Sequence, residues 1–410
     1  MTTISDSPSA EQLREDLADS LVSKNSVRTP AIAEAFRAVP RHCFVPDVPL
    51  TQAYADDAVY TKYAPDGARI SAASQPSTVA MMLEQLAPQP GEKILEAGAG
   101  TGYNAALIGH LVGPAGRVHT IDVDDDLVTG ARQHLAAAGI DNVEVILGDG
   151  ALGHPEAAPY HHAIATVSAW EVPDPWLTQL APGARLVVPL RLRGTASRSI
   201  VFKRGSSGWV GTDSQLAVFM PLRGIGDDAR RMIHLSPGVE LQVHKDQQVN
   251  GEALAGVLDT PRHEVWTGVL FPAMESFEWM DLWLCMRLPT PLMRMNTEPH
   301  AKESGLVAPM FGWGAMATTS STSLAYFTLR PATLGADGRK RWEVGLIGHG
   351  PAGQRLAEEV AQETVRWNAD FRDHPVTIAM PDVTPAPDPD NGVFVLDRPH
   401  RPITVIWDRP

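Results

Sequence analysis

Three carboxylates stand where short apolar runs end: Glu96 after Ile94 and Leu95, Asp122 after 117–121, and Asp149 after 142–147. Gly98, Gly100 and Gly102 follow the first acid, and Gly148 and Gly150 bracket the third. Glycine tolerates positive φ and lets a ligand come close to the backbone. An acid closing the second strand of an open α/β sheet can accept both hydroxyls of a ribose. Asp149 can accept an adenine amino group in the same way, with turn capping as its plain structural alternative. These types at this spacing describe a pocket for an adenosine-bearing cofactor.

Such groups need a scaffold, and the pattern predicts one. Strand-like runs at 117–121, 142–147, 162–168 and 185–189 join the run that ends at Glu96, and helix-compatible runs at 104–112 and 127–138 alternate with them. The fold class this implies is α/β, with a Rossmann-like sheet carrying its ligand across the carboxyl ends of its strands. Runs at 199–203 and 216–221 predict an antiparallel extension at one edge. Upstream, helices are expected over 11–24 and 29–37, and Pro76 suits a first helical turn with Ser74 or Gln75 near its N-cap. Tyr54, Asp56 and Ser168 are candidate wall residues for substrate, against plain roles as loop and turn residues.

The glycine spacing departs from Gly-x-Gly-x-x-Gly, and no Gly-Lys-Ser/Thr phosphate loop is present. With no pyrophosphate feature, S-adenosylmethionine fits better than a dinucleotide. A net charge of −14 argues against broad nucleic-acid binding, and no run of 18 apolar residues predicts a membrane span. Cys43 and Cys285 are too few for a disulfide framework, and the histidines lack metal-ligand spacing. The expectation is a cytoplasmic protein of two domains, divided as 1–222 and 223–410, with oligomeric state left open.

Taken together, VPRHCFVP at 39–46, AYADD at 53–57, SQP at 74–76, EAGAGTGY at 96–103 and GDG at 148–150 resemble the protein-L-isoaspartate O-methyltransferase family, a branch of class I S-adenosylmethionine methyltransferases. The resemblance covers 11–222. It implies cofactor contacts at Glu96, Gly98, Gly100, Gly102, Asp122, Asp149 and Gly150, with S-adenosylhomocysteine as product, and it places Ser74 where the acceptor carboxylate is positioned. Ala72 and Ala73 fall where the family pattern carries threonine and isoleucine, which points to an altered acceptor. The chain length and FVLD at 394–397 resemble methyltransferases of FxLD lanthipeptide systems. That implies a ribosomal precursor peptide, already cyclised, as partner, its aspartate ester closing to succinimide and then isoaspartate. No catalytic role is assigned to Phe394, Leu396 or Asp397. General isoaspartate repair, graspetide modification and a non-catalytic peptide carrier are the alternatives.

The second half predicts a mixed α+β accessory unit for peptide recognition. Gly224, Gly226 and 227–231 mark the transition. A mainly helical apolar run is expected over 272–287, buried or forming a peptide groove. Strands are expected at 239–244, 324–329 and 342–347, the last two paired through a turn with Gly335, Asp337 and Gly338. A helix over 355–371 and a terminal hairpin of 392–396 with 403–407 complete the reading.

Overall fold

The computed structural model describes residues 8–63, 69–217, 219, 230–244, 246–332 and 338–408. Lys93–Ala97, Arg117–Asp122, Val143–Leu147, Tyr160–Ala165 and Leu180–Arg193 form the parallel part of a ten-stranded sheet. Lys93–Ala97, Arg117–Asp122 and Tyr160–Ala165, the inner strands, are buried on both faces and largely apolar, as covered parallel strands require. From Lys93–Ala97 the chain winds outward through Arg117–Asp122 to Val143–Leu147, then returns to lay Tyr160–Ala165 on the other flank. The strand order therefore reverses between Lys93–Ala97 and Tyr160–Ala165. A crevice opens at such a reversal, outside the carboxyl ends.

Leu180–Arg193 turns back antiparallel into Ala196–Gly205 and then Gly208–Leu216. The expected strand over 216–221 lies partly outside the described residues; the strand observed runs earlier, over Gly208–Leu216. Its pattern, GWVGTDSQL, is too polar to have been read as a strand, and its pairing on both sides supplies what propensity does not.

A second sheet is wholly antiparallel, in the order Arg230–Ser236, Val239–His244, Met293–Thr297, Gly314–Ser320, Ser323–Pro331, Arg341–His349 and His263–Pro272. The expected pairing of the strands near 324–329 and 342–347 is present, though Gly335 and Asp337 lie outside the described residues. The helix Gly353–Asp370 packs on this sheet. The chain then returns to the first sheet, where Val376–Pro381 pairs with Gly208–Leu216, and Ile403–Trp407 and Val393–Leu396 complete the edge. Sheet membership thus does not follow chain order. The expected division at 222/223 lies outside the described residues, and the last three strands belong to the sheet that the first half begins.

The run 272–287 is helical only over Glu278–Arg287, because Pro272 closes a strand and the residues between make the turn. Its apolar face is filled rather than open. The fully buried Trp283 stacks on Phe371 at 4.1 Å and meets Trp407 at 5.2 Å and Phe394 at 5.6 Å edge-on. Arg193, at the end of a first-sheet strand, caps this helix by donating to the carbonyls of Cys285 at 2.6 Å and Met286 at 2.8 Å. One apolar core runs from the first sheet through this helix into the second sheet, while the N-terminal helices Ala10–Ser23 and Pro30–Ala38 cover a separate core on the other side. Among the described residues no helix is long and apolar enough to cross a membrane.

Candidate active site

At the strand-order reversal lies a cavity of about 300 Å³. Its floor is the turn after Lys93–Ala97, in which Gly98, Gly100 and Gly102 have φ of 105°, 51° and 89°. A Cβ on Gly98 would stand 2.6 Å from Thr166 Oγ1, so both conformation and space demand glycine there. The turn spends its donors internally. Gly98 and Ala99 N–H both donate to the Ile121 carbonyl, at 2.8 and 3.0 Å, and Gly102 N–H donates to that of Ala99 at 2.8 Å. Gly100 N–H donates to Asp122 Oδ2 at 2.9 Å. These four groups are not offered to a phosphate, which agrees with a phosphate-free cofactor.

Asp122, Val123, Leu127 and Gly150 line the cavity, as do Ser74, Gln75 and Thr78. A two-stranded hairpin, Val59–Tyr63 with Arg69–Ala73, brings Tyr60, Ala72 and Ala73 to the rim. Lys62 anchors this hairpin through ion pairs to Asp124 at 2.8 Å and Asp126 at 2.6 Å. Ser74 is held from behind. The fully buried Arg41 donates to the Ser74 carbonyl at 3.0 Å and to that of Ala53 at 2.8 Å, with its guanidinium 4.8 Å from the centre of the Tyr103 ring. Burial lowers the Arg41 pKa and raises that of the Tyr103 phenol.

Of the residues expected from sequence, Ser74, Gly98, Gly100, Asp122 and Gly150 line the cavity together. Glu96 lies beneath them, fully buried, and accepts from Asn104 Nδ2 at 2.7 Å and Thr120 Oγ1 at 2.5 Å. Burial pushes its carboxyl up to about 7 against the pull of those two donors. It meets the cavity through Asn104, which is on the wall. Gly102 caps the helix Tyr103–Val112 and lets it approach Ala131 closely. The Asp149 carboxylate accepts from Ala151 N–H at 2.9 Å, the turn-capping role, beside the wall residue Gly150.

The three expected substrate-wall residues lie off the cavity surface. Tyr54 is buried with its hydroxyl 2.7 Å from His42 Nδ1. Asp56 accepts from Ser77 N–H at 2.9 Å and so caps the helix Pro76–Leu86 from a distant loop, where Gln75 at the N-cap makes no side-chain bond. Ser168 is fully buried just beyond Thr166 and Val167, which are the lining residues of that strand end.

Sequence reasoning missed Asn104, Thr78, Gln75 and Thr166. Asn104 carried a signal, as a polar residue opening an otherwise apolar helix directly after the glycine turn. Thr166 carried the same strand-end signal as the acids. Phe219, after the last antiparallel strand, also reaches the cavity and carried none.

Comparison with known proteins places this geometry. Residues 11–225 match the family model for protein-L-isoaspartate(D-aspartate) O-methyltransferase. The protein-L-isoaspartate O-methyltransferase of Methanopyrus kandleri is 43% identical over 178 residues, spanning 43% of this chain and 76% of that protein. The protein-L-isoaspartate O-methyltransferase 2 of Archaeoglobus fulgidus is 39% identical over 215 residues, spanning 52% of this chain and 94% of that protein. A solved structure named protein-L-isoaspartate O-methyltransferase aligns over 87% of this chain and 92% of its own, with 22% identity and a TM-score of 0.48.

Proposed function

The chain belongs to the protein-L-isoaspartate(D-aspartate) O-methyltransferase family, and from that premise we propose that its acceptor is an aspartate side chain in a ribosomally made, ring-constrained peptide of the lanthipeptide kind. It is an S-adenosylmethionine-dependent carboxyl methyltransferase. The cavity residues fit that cofactor: a glycine turn with no room for a Cβ at Gly98, donors already spent, and a carboxylate at Asp122. In this reading Asp122 receives the ribose hydroxyls, and Gly150 with Asp149 borders the adenine. Gly98 and Gly100 shape the methionine side, with Glu96 acting from beneath through Asn104.

S-adenosylmethionine supplies an electrophilic methyl on a sulfonium. The chain must then align an oxygen with that methyl and keep water away. A side-chain carboxylate has a pKa near ~4 and is already an anion at neutral pH, so no strong general base is required. Positioning carries the rate. Ser74 is the acceptor-positioning residue of this reading, its backbone fixed by Arg41.

The observation that carries the choice of acceptor is the pair Ala72 and Ala73 on the cavity rim, where the family pattern has larger side chains. Their small size leaves room for a bulkier, constrained backbone. After esterification the following amide nitrogen can attack the ester carbonyl, losing its proton and expelling the methoxy group as methanol, to close a succinimide that water opens to isoaspartate. An Asp-Gly pair reaches that geometry most easily. General isoaspartate repair is the second reading, favoured by the identity to relatives that bear that name. Incubation of the chain and cofactor with a thioether-cyclised Asp-Gly peptide and its linear form, followed by intact mass, tests ring recognition. Methyl uptake on the cyclised form is expected to dominate; equal uptake on both sinks it.

A further inference from the structure

We propose that Arg398, His400 and Arg401 form a clamp that positions the loop 166–174 beside the glycine turn of the cavity. The proposal rests on the carboxyl-methyltransfer reading of that cavity. The loop leaves Tyr160–Ala165 at the strand-order reversal, and its first residues, Thr166 and Val167, line the cavity. Thr166 Oγ1 donates to the Gly98 carbonyl at 2.6 Å, so a shift of this loop is felt directly at the glycine turn. Beyond that point the loop leaves the ladder, keeping an isolated bridge from Ala169 to Leu190 through Ala169 N–H to the Pro189 carbonyl at 2.8 Å and Arg191 N–H to the Ala169 carbonyl at 2.9 Å. Inside it, the fully buried Ser168 hydroxyl has no hydrogen-bond partner among the described residues.

The side-chain contacts that hold residues 170–174 of the loop come from the other end of the chain. The turn between Val393–Leu396 and Ile403–Trp407 lies against it. Arg398 Nε donates to the Trp170 carbonyl at 2.8 Å and Nη2 donates to that of Leu192, tying the loop to the neighbouring strand. The same guanidinium lies 4.3 Å from the centre of the Trp170 ring. His400 contributes its backbone N–H at 3.3 Å and Nδ1 at 2.8 Å, both toward Oε2 of Glu171, a residue only 7% exposed. Arg401 Nε donates to Asp174 Oδ1 at 2.6 Å.

Three successive contacts thus run along one face of the loop, and the first uses the planar, many-donor geometry that arginine alone provides. Phe394 and Leu396 are buried, and Phe394 packs on Trp283 and Trp407. The hydrophobic part of the FVLD run therefore seats the hairpin, and the residues just past Asp397 do the holding. By this arrangement the late strands influence the site without supplying any wall residue of their own.

The test is Arg398→Ala in the full chain, with the cyclised Asp-Gly peptide and an isoaspartyl peptide as acceptors. The KM for whichever peptide the wild type turns over is expected to rise about tenfold and the S-adenosylmethionine Kd to rise with it, with kcat within about twofold. Amide hydrogen exchange is expected to speed up in 166–174 and not in the helix Tyr103–Val112. Arg398→Lys, able to reach one carbonyl, is expected to fall between. An unchanged KM, or unchanged exchange in 166–174, overturns the clamp. If the wild type methylates neither peptide, the carboxyl-transfer reading fails, while the exchange measurement still decides the clamp. Should Arg398→Ala not fold, Glu171→Ala removes the His400 contact and leaves the Arg398 contacts in place, and it is expected to shift both readouts the same way by less.

Discussion

The parallel part of the first sheet and the antiparallel second sheet are both built from largely apolar strands, yet the cavity described above opens at the first. In the parallel part every strand ends on the same side, so Glu96, Asp122 and Thr166 arrive together. In the second sheet neighbours alternate in direction, and no such shared end exists. The packing follows suit. Beneath the first, the buried Glu96 is matched to donors, Asn104 and Thr120. Between the two sheets, aromatic rings fill the space around Trp283. Direction of strands, more than composition, decides where chemistry can collect.

That contrast can be broken or sharpened by substitution. Trp283→Ala should show the largest effect, a loss of about 3–5 kcal/mol in unfolding free energy by urea titration, because a fully buried ring leaves a cavity. Its kcat per folded molecule should stay near wild type, and a specific loss of kcat would blur the division of labour. Gly98→Ala should do the reverse. With φ of 105° and Thr166 Oγ1 at 2.6 Å from the new Cβ, methyl transfer should fall roughly a hundredfold, with most of the stability kept. Initial rates and a thermal melt separate the two effects.

Asp122→Asn should raise the cofactor Kd about tenfold by calorimetry, since it weakens a charged acceptor that also braces Gly100. Glu96→Gln gives the smallest effect and a distinctive sign. The folded chain holds a proton on Glu96 up to about 7, above the ordinary carboxyl value. The stability this contributes is present at low pH and is lost as pH rises through that value. The amide does not titrate there. The difference in urea midpoint between variant and wild type should therefore move in favour of the variant between about pH 5 and pH 8. Asp281, buried and likewise pushed up to about 7, contributes equally to both and cancels.

Much of the contrast was legible in the residues. The strands and helices from 93 to 165 have strong periodicity, and the structure follows it within a few residues. The antiparallel strands His263–Pro272, Met293–Thr297 and Gly314–Ser320 were not legible, because their burial comes from partners distant in sequence. The return of the last hairpin to the first sheet is of the same kind: no local pattern records which edge a strand will join. At the site, strand-end acids and glycines could be named from type and spacing. Glu96 lying under the wall, and Arg41 reaching Ser74 from behind, depend on how elements stack.

One measurement tests the central claim most directly: kcat/KM of the wild-type chain for transfer of a base-labile methyl to the cyclised Asp-Gly peptide, set against an unrelated isoaspartyl peptide. The account predicts that the cyclised aspartyl peptide is preferred by about tenfold or more. Preference for the isoaspartyl peptide would contradict it and return the chain to general repair.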